Sequence, residues 1–240
     1  MIELDKIRNK GVLFCITTSK SARIVIDYDK DFPFIDYVVA FNGSYVVDLI
    51  NNKVLLDKSL GIGIVKKIYK IFKDKDLCFY TLDNCNYTGD YCDKDFSKKI
   101  NNIDGFFVEN KKGIYKIKII FDSSKWCKDA VKKLKELELK IDIYAKEEND
   151  KFIIEITNSM CSKLLGVETI CKSKKINLEE VFAVCSSVSS LDLVKTVGYG
   201  CSVSNGFDKL KKCAKTVTCS NEENGVEKII KEVFSKKDCL

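Results

Sequence analysis

The sequence has no histidine in its 240 residues, and none of its 12 cysteines forms a Cys-x-x-Cys pair. A zinc site would therefore need four thiolates in closer, paired spacing than the seven-residue recurrence of Cys78, Cys85 and Cys92 provides. Long apolar runs are also missing, so no segment reads as a membrane span, and the amino terminus lacks the basic-then-apolar pattern of a signal peptide. The expectation is a soluble, cytoplasmic protein without disulfides. Blocks of like charge are absent too. The formal charge of +6 comes from 41 basic and 35 acidic residues scattered as Lys-Lys pairs. That dispersal reads as a solvated surface without a nucleic-acid footprint, which needs a clustered stripe; the anion such a surface attracts can equally be a phosphate ester.

What is present is ample for a core, at 45% hydrophobic and 32% charged residues. Most cysteines sit in apolar stretches, such as Cys15 in VLFCI, Cys78 in LCFY and Cys185 in FAVC, and read as small core hydrophobes. The organising stretch runs from Glu180 to Asn221. Val181 to Val184 is the short apolar run of a buried strand. A small polar loop follows, then Leu191, Leu193, Val194 and Val197 at helical spacing, with Gly198 as the stop. This predicts a strand-loop-helix unit with its working loop at the strand's carboxyl end.

Earlier in the chain, Met1 to Lys10 predicts a helix capped by Gly11, Val12 to Ile16 a strand, and Thr17 to Ser21 a polar loop. Asp36 to Gly43 predicts a strand ending in Asn-Gly, and Val46 to Leu56 a hairpin around Asn51-Asn52. From residue 59 to 158 the pattern changes. Helices are predicted over Ile64 to Phe72 and Trp126 to Leu137, and strands over Tyr115 to Phe121 and Leu139 to Ala145, while Cys85 to Ile103 reads as a loop. Asn177 to Glu180 predicts a short acidic helix and Val226 to Phe234 a closing one.

The ordered run Gly198, Gly200, Asn205, Ala214, Val217, Thr218, Ser220, Asn221, Glu223, Gly225 and Val226 resembles the last third of the haloacid dehalogenase superfamily, in particular its Cof-type sugar-phosphatase branch. The resemblance implies an α/β fold. Its parallel-sheet core would be formed by residues 1–58 and 159–240, with an inserted α/β cap over 59–158 whose inner face selects substrate. It also implies a phosphate-binding role for Thr18, Ser19, Lys20, Asn42, Gly43, Lys163 and Asn205, with Lys163 balancing charge on nucleophile and phosphate.

The resemblance breaks where the chemistry lies. Family members hold Mg²⁺ with Gly-Asp and Asn-Asp, and this chain has Cys185-Ser186 and Ser189-Ser190 there; neutral hydroxyls are weak ligands for a hard cation. The family's opening strand ends in DxDGT, whose aspartates are the nucleophile and the general acid/base. Here the chain is expected to begin inside the helix that follows it. The DxD-like Asp27 and Asp29 fall on the wrong side of the Thr18 loop and read as a solvated helix end.

With that central strand missing, three outcomes are open: residues 13–16 pair directly with 181–184, a partner supplies a strand, or the chain is a truncated product. The favoured expectation is a catalytically inactive relative, with Thr18, Lys163, Ser186 and Ser190 as remnants of the catalytic motifs. It would need no cofactor and bind at most a small phosphorylated ligand or a protein partner. The alternative is an active Mg²⁺-dependent phosphatase with a missing amino terminus that recruits Asp27 or Asp192, although Asp192 is expected to point away from the loop into its helix.

Overall fold

The Lys-Ile-Lys-Ile-Ile-Phe run at 116–121 alternates as a half-apolar strand should, yet every one of its residues is buried. That requires a sheet covered on both faces, and such a sheet forms the larger part of the fold. In this computed structural model, which describes residues 7–29, 34–91 and 96–235, three sheets are formed.

The first sheet has the order β1 (Cys15–Thr17), β2 (Tyr37–Ala40), β3 (Tyr45–Asp48) and β4 (Lys53–Asp57). The β1–β2 pair is parallel, with helix α1 (Ala22–Asp29) as the crossover, and the remaining pairs are antiparallel. The expected hairpin forms, with Asn52 taking the left-handed φ of 48° that its turn demands. Gly11 also ends its helix as expected, at φ 82° with its N–H donating to Arg8. Residues 1–6 of the expected first helix lie outside the described residues, as do the side chains of Asp27 and Asp29, although α1 carries their backbone.

The second sheet has six strands. They are β5 (Asp76–Tyr80), β6 (Cys85–Thr88), β7 (Ser97–Lys99), β8 (Lys116–Phe121), β9 (Ile141–Glu148) and β10 (Lys151–Asn158), in the order β7-β6-β5-β8-β10-β9. One expectation is corrected here. The stretch 85–103 is no plain loop, since β6 and β7 pair in parallel within it; their polar Asn, Tyr and Lys content hid them, because an edge needs little apolar alternation. Strand β5 and helix α3 (Ile103–Glu109) were not anticipated either.

One face of this sheet carries α2 (Ile62–Phe72), α3 and α4 (Ser124–Glu136). Val65, Ile68 and Phe72 of α2 and Ala130 and Leu134 of α4 pack there on Leu77, Phe79, Ile117 and Ile119. Its other face meets the first sheet. Val38, Ala40 and Phe41 share a cluster with Cys78, Tyr80, Tyr115 and Ile153, and the Phe41 and Tyr115 rings stack at 4.9 Å.

The third sheet is parallel, with the order β11 (Phe182–Cys185), β12 (Tyr199–Val203) and β13 (Thr216–Thr218). Helices α5 (Lys163–Lys174), α6 (Leu191–Thr196), α7 (Asp208–Cys213) and α8 (Gly225–Ser235) complete the chain. Helix α5 ties the sheets together: Ile170 packs with Tyr37 and Val39, while Val167 and Cys171 pack with Cys185 and Val194.

Direct pairing of 13–16 with 181–184 does not occur. Among the described residues β1 pairs only with β2, and β11 only with β12. Leu13 and Ile16 are correspondingly 38% and 39% exposed, and Cys15, read from sequence as a core residue, is exposed. No helix among the described residues is long and apolar enough to cross a membrane.

Candidate functional site

Construction of the site starts at a glycine. Gly43 has φ 99°, and a Cβ there would lie 1.9 Å from the Ser162 carbonyl oxygen, so only glycine lets the 41–43 turn close against the start of α5. Ser162 caps that helix, its Oγ accepting from the Leu165 N–H at 3.1 Å. The next residue, Lys163, thereby lines, with Asn42, a cleft of about 810 Å³.

Lys163 is unusual in two respects. It occupies the first turn of a helix, where the macrodipole disfavours a cation, and it is only 7% exposed. Its Nζ donates to Ser190 Oγ at 3.1 Å and to Ser187 Oγ at 3.4 Å, both neutral acceptors. Burial pushes the pKa of this ammonium below the ordinary lysine value, with the nearby Cys185 sulfur opposing in the smaller part. An ammonium held at a helix amino terminus by hydroxyls alone is a place where an anion is favoured twice over, by charge and by helix N–H groups.

Around it, Ser19, Asn42, Ser186 and Asn205 also line the cleft. Asn42 is held at φ 55°, ψ 33°, and its side-chain oxygen is buried with no partner among the described residues. The Ser186 loop is tied down by its carbonyl, which accepts from the Phe207 N–H at 2.9 Å, and by Gly206, where a Cβ would approach Ser202 Oγ to 2.7 Å. Asn205 bonds the Asn221 side chain across two of the late motif positions.

The structure does not bring every expected residue to this cleft. Thr18 is spent on its own turn, its Oγ1 accepting from the Lys20 N–H at 3.0 Å while its backbone joins Val39 and Asn42. Lys20 lines a neighbouring cavity of about 570 Å³. Gly43 lies behind the turn as its backbone hinge, and Ser190 lies beneath the floor, 2% exposed, as a partner of Lys163. Asp192 requires a correction: it lines the cleft. A 3-10 turn at Val188–Ser190 precedes α6, so Asp192 falls in the first helical turn, beside the loop.

The donor set does not suit Mg²⁺. The positions at 186 and 190 present hydroxyls, the Lys163 ammonium occupies the space beside them, and among the described residues no group of three or more acidic, cysteine or histidine side chains is placed to hold a metal.

Sequence reasoning also missed a set of residues on the inner face of the six-stranded sheet, Lys116, Lys118, Lys146 and Glu155, which line the second cavity. The signal was available: in a strand reading Lys-Ile-Lys-Ile, if the isoleucines face helices, the lysines must share the opposite face.

Comparison with known proteins agrees with this architecture. A haloacid dehalogenase-like hydrolase of Bacteroides thetaiotaomicron superposes with a TM-score of 0.83 at 17% identity, covering 96% of this chain and 90% of that one. A haloacid dehalogenase-like hydrolase of Bacillus subtilis gives 0.81 at 16% identity over 95% and 90%. A solved subclass IIB sugar phosphatase gives 0.75 at 17% over 96% and 89%. Among curated proteins, the 5-amino-6-(5-phospho-D-ribitylamino)uracil phosphatase YitU of Bacillus subtilis is 21% identical over 97% of this chain and 88% of its own length. Residues 2–230 match the family described as haloacid dehalogenase-like hydrolase. On that match and this fold, the chain belongs to the haloacid dehalogenase-like hydrolases, in their Cof-type branch.

Proposed function

We propose that the chain is a phosphatase of this family acting on a small phosphorylated metabolite in the cytoplasm, with the Lys163 cleft as its phosphate site. The observation that carries the reading is a buried lysine at a helix amino terminus whose partners are two serine hydroxyls. Such a group is costly unless an anion completes it. Lys163 would bind a phosphate oxygen, Ser187 and Ser19 line the same cleft, and the buried Asn42 side-chain oxygen would accept from a substrate hydroxyl. Asp192, in the first turn of α6 beside the loop, adds a carboxylate to the cleft lining. A relative named a phosphatase, matched over 88% of its own length, supports the same reading.

The family's carboxylate nucleophile has no counterpart among the described cleft residues. Among the described residues β1 and β11 each have one unpaired edge, which supports a further strand entering between them, from a longer form of this chain or from a partner, as the source of such a group. A second reading, binding without turnover, is favoured by one observation, the serines at 186 and 190. Release of inorganic phosphate from p-nitrophenyl phosphate and from a panel of sugar phosphates, with Mg²⁺ and with EDTA, separates the two. Turnover that falls in Lys163→Met and Asp192→Asn supports hydrolysis. Binding of the esters with no release above the Lys163→Met background overturns hydrolysis and leaves the second reading.

A further inference from the structure

The six-stranded sheet turns a row of charge toward the cleft, and that row says something about the substrate's far end. Lys116 and Lys118 stand two apart on β8, so both point to the face opposite the helices. They are 4% and 5% exposed. Glu155 is the cross-strand partner of Lys118, and Lys146 lies on the same face one strand further out, opposite Ile153. The three ammonium groups converge on one carboxylate: Glu155 Oε1 is 3.3 Å from Lys146, 3.9 Å from Lys118 and 4.0 Å from Lys116. The Tyr80 ring backs them, with Lys116 Nζ 4.2 Å and Lys118 Nζ 5.4 Å from its centroid.

These groups line the cavity of about 570 Å³, which shares Ser19, Lys146 and Glu155 with the Lys163 cleft. The two spaces adjoin across these shared residues, and the Ser19 carbonyl also accepts from Lys116 at 3.3 Å. Asp83 and Glu148 stand at the same cavity, Glu148 engaged with Lys146 at 2.6 Å, and Lys20 adds a fourth cation. A sheet face that merely closed over the core would be built at lower cost from uncharged residues. Lysines gathered there, facing a cavity that adjoins the Lys163 cleft and shares lining residues with it, are arranged for charge on the ligand.

We propose that the paired cavities take a phosphorylated metabolite carrying a second anionic group, a phosphate or a carboxylate, with the first phosphate at Lys163 and the second anion among Lys116, Lys118 and Lys146. The proposal rests on the phosphate-site reading of the Lys163 cleft and names the substrate class of that site.

Calorimetric titration in EDTA tests it, using inorganic phosphate, glucose 6-phosphate, 3-phosphoglycerate and fructose 1,6-bisphosphate as ligands. The two doubly anionic esters are expected to bind at least about tenfold tighter than glucose 6-phosphate, the equivalent of one added charge-assisted contact. Lys118→Gln and the more exposed Lys146→Gln should each narrow that margin, whereas Lys163→Met weakens all four ligands. Equal affinity for singly and doubly anionic esters in the wild-type protein, or a preference that survives in both glutamine variants, overturns the proposal while leaving the phosphate site standing. Failure of every ligand to bind overturns the phosphate-site reading itself, and this inference with it.

Discussion

Replacing Lys163 by methionine separates the two demands placed on that residue. The side chain is 7% exposed, its ammonium is met by hydroxyls at 3.1 and 3.4 Å, and no carboxylate among the described residues neutralises it. Taking an ion out of water costs several kcal/mol, and hydrogen bonds to a charged group return about 1.5–3 kcal/mol each. Methionine fills nearly the same volume without charge, so the free protein should gain about 1–3 kcal/mol. For a chain of this length each kcal/mol moves the melting temperature by about 2–4 °C.

Ligand binding should move the other way. Loss of one charge-assisted contact weakens phosphate by at least about tenfold. A thermal melt of both proteins with and without 10–50 mM phosphate, roughly the range where linkage becomes visible, reads both effects at once. The variant should melt higher alone and show a smaller phosphate-induced rise. A variant that melts lower, with its phosphate response intact, would mean that Lys163 is a structural residue satisfied by Ser187 and Ser190, and the reasoning would fail.

Four further outcomes follow from the same geometry. Because burial lowers the Lys163 pKa, the unfolded chain binds more protons than the native one between that lowered value and the ordinary lysine pKa of about 10.4. Native stability from this group therefore improves as pH rises through that window, and the slope should vanish in Lys163→Met denaturation curves. Phosphate affinity should decline on the alkaline side earlier than an ordinary lysine would dictate, as read by titration across pH. Gly43→Ala puts a methyl into the Ser162 carbonyl at a left-handed φ; a loss of about 1–3 kcal/mol in urea unfolding, with phosphate affinity falling because the Asn42 turn moves from Lys163, is expected. Burial raises the pKa of the Cys127 thiol, whereas Cys213 is exposed; mass-spectrometric mapping after brief iodoacetamide treatment at pH 8 should find Cys213 alkylated ahead of Cys127.

What the sequence revealed depended on which physical signal each residue carries. Apolar spacing at 3.6 residues placed the helices at 62–72, 124–136 and 225–235, because a one-sided helix writes its buried face into the chain. The strand at 182–185 and the loop after it were legible from an apolar run followed by small polar residues. Polar edge strands β6 and β7 were not, since pairing with a neighbour's backbone leaves no side-chain pattern.

In the cleft, Ser19, Asn42, Lys163, Ser186 and Asn205 were anticipated and stand together. Thr18 was expected among them, but a hydroxyl two residues before an N–H is readily captured by its own turn. Asp192 was expected to face away; its direction depended on the 3-10 turn before α6, a local tightening that spacing along the sequence does not reveal. The lysine row on β8 needed the tertiary fact that the sheet's second face closes over a cavity rather than over solvent.

The most direct measurement of the central claim is a ³¹P NMR spectrum of glucose 6-phosphate and 3-phosphoglycerate with the protein and Mg²⁺, followed over hours beside Lys163→Met. The account predicts that the ester resonances broaden or shift with the wild-type protein and that an inorganic phosphate resonance grows, with both changes reduced in the variant. Sharp, unshifted ester resonances and no inorganic phosphate with the wild-type protein would contradict it.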